Sequence, residues 1–166
     1  LDAPSDSKGG KNVFFIDGPA GTGKTYLYRQ VLYYARSQGH VALAVAMSGL
    51  AALLLDRGRT AHSRFRLPVP LPLEGATANV KPNSPLGELL RRTSVVVWDE
   101  APTAPRAAVD AVDRCLRDIM GLPDVPFGGK LVLLGGDWRQ MPPVLRRVEP
   151  EALAQHTLRA TSWWGG

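Results

Sequence analysis

Apolar and polar positions along the chain predict strands and helices in alternation. Four short apolar runs, rich in β-branched side chains, leucine or aromatics, predict buried strands at residues 13–17, 40–47, 94–98 and 130–136. These runs are continuously apolar and do not alternate with polar residues. Continuous runs are typical of a parallel sheet that is covered by helices on both faces.

Helix signals occupy the stretches between these runs. Predicted helices cover residues 25–38, 49–57, 86–92 and 105–120. Gly39, Gly58 and Gly121 are placed to end three of them, whereas Ser48 and Ser84 are placed to cap two others. Residues 66–85 hold five prolines, which predict an extended surface excursion, and residues 151–156 are expected to be partly helical.

The order of these elements sets the fold class. Strands that are separated by helices or long connections pair in parallel, because antiparallel neighbours need only a tight turn. The 166 residues are enough for one ordinary domain. We therefore expect a single α/β domain with a mostly parallel sheet and helices on both faces.

Charge and cysteine content narrow the possible partners. The net charge is +5, from 20 Lys and Arg against 15 Asp and Glu, so a polyanion is a reasonable partner. The single cysteine, Cys115, excludes an internal disulfide and a multi-cysteine zinc site. It shares a helical spacing with Val112 and Ile119, which predicts a core position. No run of 18 apolar residues occurs, so we expect a soluble protein without a membrane partner.

The stretch GPAGTGKT, at residues 18–25, matches the phosphate-loop pattern and lies between a predicted strand and a predicted helix. Backbone N–H groups of such a loop surround nucleotide phosphates, while Lys24 reaches the β- and γ-phosphates and the Thr25 hydroxyl helps to hold Mg²⁺. The alternative is a glycine-rich structural turn. The predicted ATP-binding residues are Gly18, Pro19, Ala20, Gly21, Thr22, Gly23, Lys24 and Thr25.

Two acidic residues follow the third predicted strand in the stretch VVVWDE. A carboxylate at the end of a strand in an open α/β sheet lies at the same edge as the phosphate loop. Asp99 is expected to bind Mg²⁺ through water, and Glu100 to polarise the attacking water, which separates hydrolysis from mere binding. An exposed acidic turn is the alternative.

A third stretch, GGDWRQMPPV, ends the fourth predicted strand. The Gln140 amide can donate to a γ-phosphate oxygen and accept from the lytic water, so Gln140 is a candidate sensor of the γ-phosphate. Read alone, the stretch is also consistent with a simple turn from strand to loop, stopped by Pro142 and Pro143.

Together, four stretches resemble motifs I, Ia, II and III of superfamily 1 DNA helicases. They begin GPAGTGKTYLYR, SGLAALLLDRGRTAHSRFRLP, VVVWDEAPTAP and PFGGKLVLLGGDWRQMPPV. The chain resembles the Pif (petite integration frequency) family, in its Helitron-like branch, from about residue 13 to residue 144. This resemblance implies an ATP-dependent helicase that moves 5′ to 3′ on single-stranded DNA, with two RecA-like domains and ATP between them.

The resemblance also implies roles for single residues. Lys24 and Thr25 would serve the phosphates and Mg²⁺, Asp99 and Glu100 would act on the metal and the water, and Gln140 would sense the γ-phosphate. The residues that correspond to the DNA-backbone contacts are Ser48, Gly49, Thr60, His62 and Ser63.

Other interpretations of the DNA-facing stretch stay open. Nearby Arg59, Arg64 and Arg66 could neutralise phosphates, and a solvated basic loop is the alternative. Phe65 could stack on a base or pack in the core, whereas a metal-binding role for His62 is not expected, because no partner lies at ligand spacing.

Departures from the family pattern limit the expected activity. We expect neither the glutamine-containing segment near adenine nor the second RecA-like domain with its arginine finger, which is worth on the order of 10³ to 10⁵ in rate. The chain alone should then hydrolyse ATP slowly or not at all. A non-catalytic nucleotide- or DNA-binding remnant and a small-molecule kinase are the alternatives.

The resemblance further implies a monomer with roles in DNA repair, recombination and telomere or transposon maintenance. It also implies a nuclear location if the source is eukaryotic.

Overall fold

A five-stranded sheet forms the centre of the computed structural model, which describes residues 12–139 and 150–161. All strand pairs are parallel and the strand order is β1-β5-β4-β2-β3, which confirms the predicted α/β class. β5 lies between β1 and β4, so the ends of these three strands are neighbours. The strands are β1 (Val13–Asp17), β2 (Val41–Ala46), β3 (Arg59–Thr60), β4 (Thr93–Asp99) and β5 (Leu131–Gly136).

Five α-helices connect these strands in the described part of the chain. They are α1 (Lys24–Ser37), α2 (Gly49–Leu54), α3 (Ala61–Phe65), α4 (Pro85–Arg92) and α5 (Arg106–Met120). Ser84 caps α4 by accepting the Gly87 N–H at 3.1 Å, as its position before Pro85 predicts. Gly121, with φ 66°, ends α5 in the left-handed conformation that glycine adopts without strain.

The two faces of the sheet carry separate cores. Helices α1 and α2 pack on one face against alternate residues such as Ala42 and Ala44, whereas α3, α4 and α5 pack on the other against Leu43 and Val45. This alternation follows from the two-residue period of a strand. Cys115 is 8% exposed within the second core, which confirms its predicted packing role.

The helix predicted at residues 49–57 is wrong at its end, because α2 stops at Leu54. Leu55 is extended and buried, and Asp56 forms an ion pair with Arg36 of α1. A side chain at position 58 would overlap the Ala52 carbonyl, so Gly58 allows the chain to fold back tightly onto α2. Burial of Leu55 and this close return therefore end the helix earlier than the apolar pattern predicts.

Two short elements were not predicted. β3 has only two residues and α3 has five, and both fall in the stretch predicted to contact DNA, for which a solvated basic loop is the alternative. Their signals are too short for a periodic pattern, although Thr60 is a good N-cap residue and accepts the Ser63 N–H at 3.2 Å.

Two irregular regions agree with expectation. The proline-rich stretch between α3 and α4 contains no helix or strand in the structure. The segment Pro150–His156 is 3₁₀-helical, which confirms its partly helical prediction.

Over residues 12–139 and 150–161, no helix combines the length and the apolar character needed to cross a membrane.

Candidate functional site

The loop after β1 and the ends of β4 and β5 enclose one cavity of about 440 Å³, which we call the phosphate cavity. The Gly18 N–H donates to the Gly136 carbonyl at 3.0 Å and so ties the loop to β5. The cavity brings together residues from three separate stretches of sequence. Its polar and loop walls comprise Ala20, Gly21, Gly23, Lys24, Thr25, Asp99, Glu100 and Asp137.

Lys24, the first residue of α1, holds the loop in a closed form. Its Nζ donates to the Gly18 carbonyl at 2.5 Å and to the Pro19 carbonyl at 2.8 Å. Thr22 also donates to the Pro19 carbonyl, at 2.8 Å. Gly23, with φ 90°, makes the left-handed turn into α1 that a larger residue would adopt only with strain. The loop is therefore wrapped around its own ammonium group, which places one positive charge in the cavity wall.

Asp99 and Glu100 face this ammonium group from the end of β4. The Asp99 Oδ1 accepts the Glu100 backbone N–H at 2.9 Å. Burial raises the pKa of Asp99, while this hydrogen bond and the Lys24 charge act in the opposite direction. The Glu100 Oε2 accepts a hydrogen bond from the Ser48 hydroxyl at 3.2 Å, a contact that sequence reasoning missed.

Tyr28, a second residue that sequence reasoning missed, lies on α1 beside Asp99. It is 0% exposed, and its hydroxyl makes no well-formed hydrogen bond to a described residue. Burial, and after it the Asp99 charge, raises the pKa of Tyr28 well above its usual range. The spacing of Tyr28, Leu32 and Ala35 marks the buried face of α1 and could have placed the ring, but not its neighbour.

Asp137 completes the acidic wall at the end of β5. Its Oδ1 accepts the Arg139 backbone N–H at 2.9 Å, and this hydrogen bond is the main cause that lowers the pKa of Asp137. The predicted sensor, Gln140, lies outside the described residues. Its role therefore stays a prediction.

Thr60, His62 and Ser63 line a second, open depression of about 750 Å³, which we call the basic groove. Arg66 lies in the same lining, together with proline-rich wall residues such as Pro68 and Pro72. The other two predicted DNA-contact residues lie at the start of α2, where Ser48 is the N-cap and Gly49 the first residue. The five residues therefore fall into two sets, one in the groove and one next to the phosphate cavity.

Phe65 packs in the core, so the alternative that it stacks on a base is wrong. The residue is 0% exposed, and its ring stacks on Trp98 with centroids 6.3 Å apart and planes at 19°. Arg59 and Arg66 are exposed, whereas Arg64 is partly buried. This burial, and after it the Arg59 charge, lowers the pKa of Arg64.

Within residues 12–139 and 150–161, no group of three or more His, Cys, Asp or Glu side chains could hold a metal ion.

Comparison with known proteins decides the family. A family model described as PIF1-like helicase matches residues 2–166. The chain belongs to the PIF1-like helicase family. This membership confirms the helicase resemblance and rejects the small-molecule kinase.

Relatives of this PIF1-like chain agree in sequence. It is 34% identical over 143 residues to the ATP-dependent DNA helicase Pif1 of Psychrobacter, and the match covers 86% of this chain and 21% of that protein. The chain spans between 14% and 21% of the length of the first three curated relatives that it matches.

Solved structures agree in fold. The crystal structure of Pif1 helicase from Candida albicans matches with a TM-score of 0.75 and 25% identity, over 92% of this chain and 33% of that one. The Bacteroides Pif1 helicase in complex with ADP-AlF3 and ssDNA matches with a TM-score of 0.68 and 32% identity, over 87% and 32% of the two chains. These similarities confirm the predicted RecA-like fold.

Proposed function

We propose that the chain forms the first, nucleotide-binding motor domain of an ATP-dependent DNA helicase that moves 5′ to 3′ along single-stranded DNA. The observation that carries this proposal is the shared phosphate cavity, in which the Lys24 ammonium group and the carboxylates of Asp99 and Glu100 meet. Family relatives named ATP-dependent DNA helicases, and a related structure that contains ADP-AlF3 and ssDNA, support it.

In this proposal, loop N–H groups and Lys24 bind the β- and γ-phosphates of ATP. The Thr25 hydroxyl and the Asp99 carboxylate would hold Mg²⁺. One hydroxyl and one carboxylate in a phosphate site fit this ion, which keeps several waters and takes its remaining ligands from phosphate oxygens. When bound, Mg²⁺ would neutralise part of the phosphate charge.

Glu100 supplies the general base for hydrolysis. A water molecule attacks the γ-phosphorus and passes a proton to the Glu100 carboxylate, the bond from the γ-phosphorus to the β–γ bridging oxygen breaks, and ADP and phosphate leave. Gln140 would hold the γ-phosphate and the water. A second RecA-like domain is the proposed partner that supplies an arginine finger, so turnover by this chain alone should be slow.

The basic groove is the proposed contact for single-stranded DNA. Its hydroxyls at Thr60 and Ser63 can donate to phosphate oxygens, and Arg66 can neutralise their charge. Such contacts position the DNA backbone and do not read its sequence.

The proposal is tested first by Lys24→Ala. Loss of the ammonium group should weaken binding of a fluorescent ATP analogue by about tenfold or more, because charge-assisted hydrogen bonds to phosphate are lost. Lys81→Ala removes an exposed lysine elsewhere and serves as the charge-matched control. Equal affinity of the two variants would contradict the assignment of the phosphate cavity.

The rate of phosphate release from ATP, measured with and without oligothymidine, distinguishes a motor domain from a non-catalytic binding remnant. Slow turnover that single-stranded DNA stimulates is the expected result. Nucleotide binding without turnover, even at high enzyme concentration with DNA present, would instead favour the non-catalytic alternative.

A further inference from the structure

Ser48 lies between the DNA-facing elements and the water-activating carboxylate. β2 and β4 pair in parallel with Ala46 opposite Asp99, so the residues that follow these two strands are neighbours. Ser48 comes two residues after Ala46, and Glu100 comes one residue after Asp99. The sheet register therefore brings the exposed Ser48 hydroxyl to the Glu100 carboxylate, at 3.2 Å.

The hydrogen-bonding capacity of Ser48 is fixed by its two partners. The Ala51 backbone N–H can only donate, so the Ser48 oxygen accepts from it, at 3.2 Å. The ionised Glu100 carboxylate can only accept, so the Ser48 proton is directed to it. A hydroxyl has one proton, and Ser48 therefore has no second hydrogen bond to donate.

A phosphate oxygen of DNA also accepts and does not donate. It can bind the Ser48 hydroxyl proton only if the hydrogen bond to Glu100 breaks. At 3.2 Å that bond is longer than a typical O–H···O bond, so it is one that a charged phosphate can replace. The two hydrogen bonds exclude each other.

The backbone of Glu100 is fixed by hydrogen bonds, whereas its carboxylate can move when the hydrogen bond from Ser48 breaks. The Glu100 N–H donates to the Asp99 carboxylate at 2.9 Å, and its carbonyl accepts from the Thr103 hydroxyl at 2.7 Å. Loss of the Ser48 bond would therefore free the side chain without displacing the backbone.

We propose that Ser48 is a positioning residue. Its hydroxyl donates a hydrogen bond that restrains the Glu100 carboxylate in the absence of DNA, and it releases this carboxylate when it donates to a DNA phosphate oxygen instead. Ser48 keeps its proton throughout, and only the acceptor changes. The released carboxylate is then free to accept the proton of the attacking water. This inference rests on the proposed function, since it requires both a DNA contact at Ser48 and a general base at Glu100.

Thr60 provides a matched comparison within the same chain. It is also a helix N-cap, it accepts the Ser63 N–H at 3.2 Å, and it belongs to the same predicted DNA-contact set. Among the described residues, its hydroxyl makes no hydrogen bond to Glu100. A change at Thr60 therefore removes a cap and a DNA contact but not the restraint.

The test measures the affinity for fluorescein-labelled oligothymidine without nucleotide, by fluorescence anisotropy, in a double-mutant cycle. Glu100→Ala removes the competing acceptor and should tighten oligothymidine binding. This gain in affinity should be about threefold to tenfold larger in the wild-type background than in the Ser48→Gly background. In the Thr60→Ala background the effect of Glu100→Ala should equal that in the wild type. The cycle cancels the general effect of one fewer negative charge.

Ser48→Gly is preferred to Ser48→Ala because glycine at an N-cap costs a helix only a few tenths of a kcal/mol. Ser48→Thr keeps a hydroxyl, so Glu100→Ala should change the oligothymidine affinity in this background as much as it does in the wild type. A second readout is turnover: Ser48→Gly should raise the DNA-independent rate of phosphate release and lower its stimulation by oligothymidine, whereas loss of a mere cap would not raise the rate.

The outcomes separate the inference from the proposed function. If the wild-type chain binds oligothymidine but Glu100→Ala has the same effect in the Ser48→Gly and wild-type backgrounds, the role of Ser48 is wrong and the helicase proposal stands. If the wild-type chain binds no oligothymidine at all, both are wrong. Coupling confined to Ser48 and absent from Thr60 supports the inference.

Discussion

The phosphate cavity is formed by the loop after β1 and the ends of β4 and β5, strands of five to seven residues, whereas the predicted DNA-contact residues of the basic groove lie on two-residue β3 and five-residue α3. Asp99 follows a strand that is paired on both sides, by β2 and β5. Thr60 belongs to an edge strand with one neighbour, β2.

This difference indicates how each region is held in place. Backbone pairing on both sides holds β4 and β5, whose ends carry Asp99 and Asp137. The groove residues depend on one N-cap and on the packing of single side chains, because a helix of five residues is not stable on its own. The groove should therefore respond more strongly to a single change in its anchor.

Phe65, the last residue of α3, is the anchor whose loss should have the largest effect. It is fully buried and stacks on Trp98, which directly precedes Asp99. Phe65→Ala should lower the free energy of unfolding by about 3 to 5 kcal/mol, measured by urea denaturation, because it leaves a large cavity in the core. Phe65→Leu should cost about 1.5 kcal/mol or less.

Leu53→Ala is the matched control for Phe65, since Leu53 is a large apolar residue on α2, the preceding helix in the chain, but is 81% exposed. Its effect should lie within about 0.5 kcal/mol of zero. If Phe65→Ala were no more destabilising than Leu53→Ala, α3 would not depend on this anchor and the contrast between the two regions would fail.

Gly135 offers a change of intermediate size on the cavity side. A Cβ at this position would overlap the Tyr28 hydroxyl, so Gly135→Ala should lower the free energy of unfolding by about 1 to 3 kcal/mol through overpacking. The loss should be smaller in a Tyr28→Leu background, where the hydroxyl and ring are absent. Thermal and urea unfolding of the wild type, the two single variants and the double variant would measure this coupling.

Gly49 is the corresponding control at the start of α2, where a Cβ would meet no atom within 4 Å. Gly49→Ala should be neutral or stabilise the chain by up to about 1 kcal/mol, because alanine restricts the unfolded state. Equal effects at Gly135 and Gly49 would show that the Tyr28 ring moves easily and that the cavity wall is less rigid than its strand pairing indicates.

Local sequence patterns predicted the cavity side well. Strands β2, β4 and β5 agree with the predicted runs to within one residue at each end, because a buried parallel strand reads as a continuous apolar segment. The phosphate-loop pattern placed Lys24 at the start of a helix and the acidic pair placed Asp99 and Glu100 at a strand end, and the structure brings these residues into one cavity. Each of these features depends on a few adjacent residues.

The remaining features depend on strand order and register, which local patterns do not contain. The hydrogen bond from Ser48 to Glu100 joins residues 52 apart and exists because β2 lies next to β4. Tyr28 of α1 lies against Gly135 of β5, although the two residues are far apart in the sequence. Elements as short as β3 and α3 give no periodic signal, so the basic groove was the least predictable part of the fold.

The smallest expected change in stability concerns Asp137, in the acidic wall of the phosphate cavity. The Arg139 N–H lowers the pKa of Asp137 below its unfolded value of about 3.9, so the folded state binds the proton less tightly than the unfolded state. The ionised carboxylate should therefore stabilise the fold above about pH 4, and this contribution should be lost as pH falls through the lower, folded pKa. Asp137→Asn keeps a hydrogen-bond acceptor but removes the charge. The urea midpoint of the wild type should therefore exceed that of the variant by a small, constant amount from pH 7 to about pH 4. Below about pH 4 the two midpoints should converge. A difference that grew on acidification would mean that the carboxylate is held in its protonated form, and the cavity wall would then lack the charge that its hydrogen bonds imply.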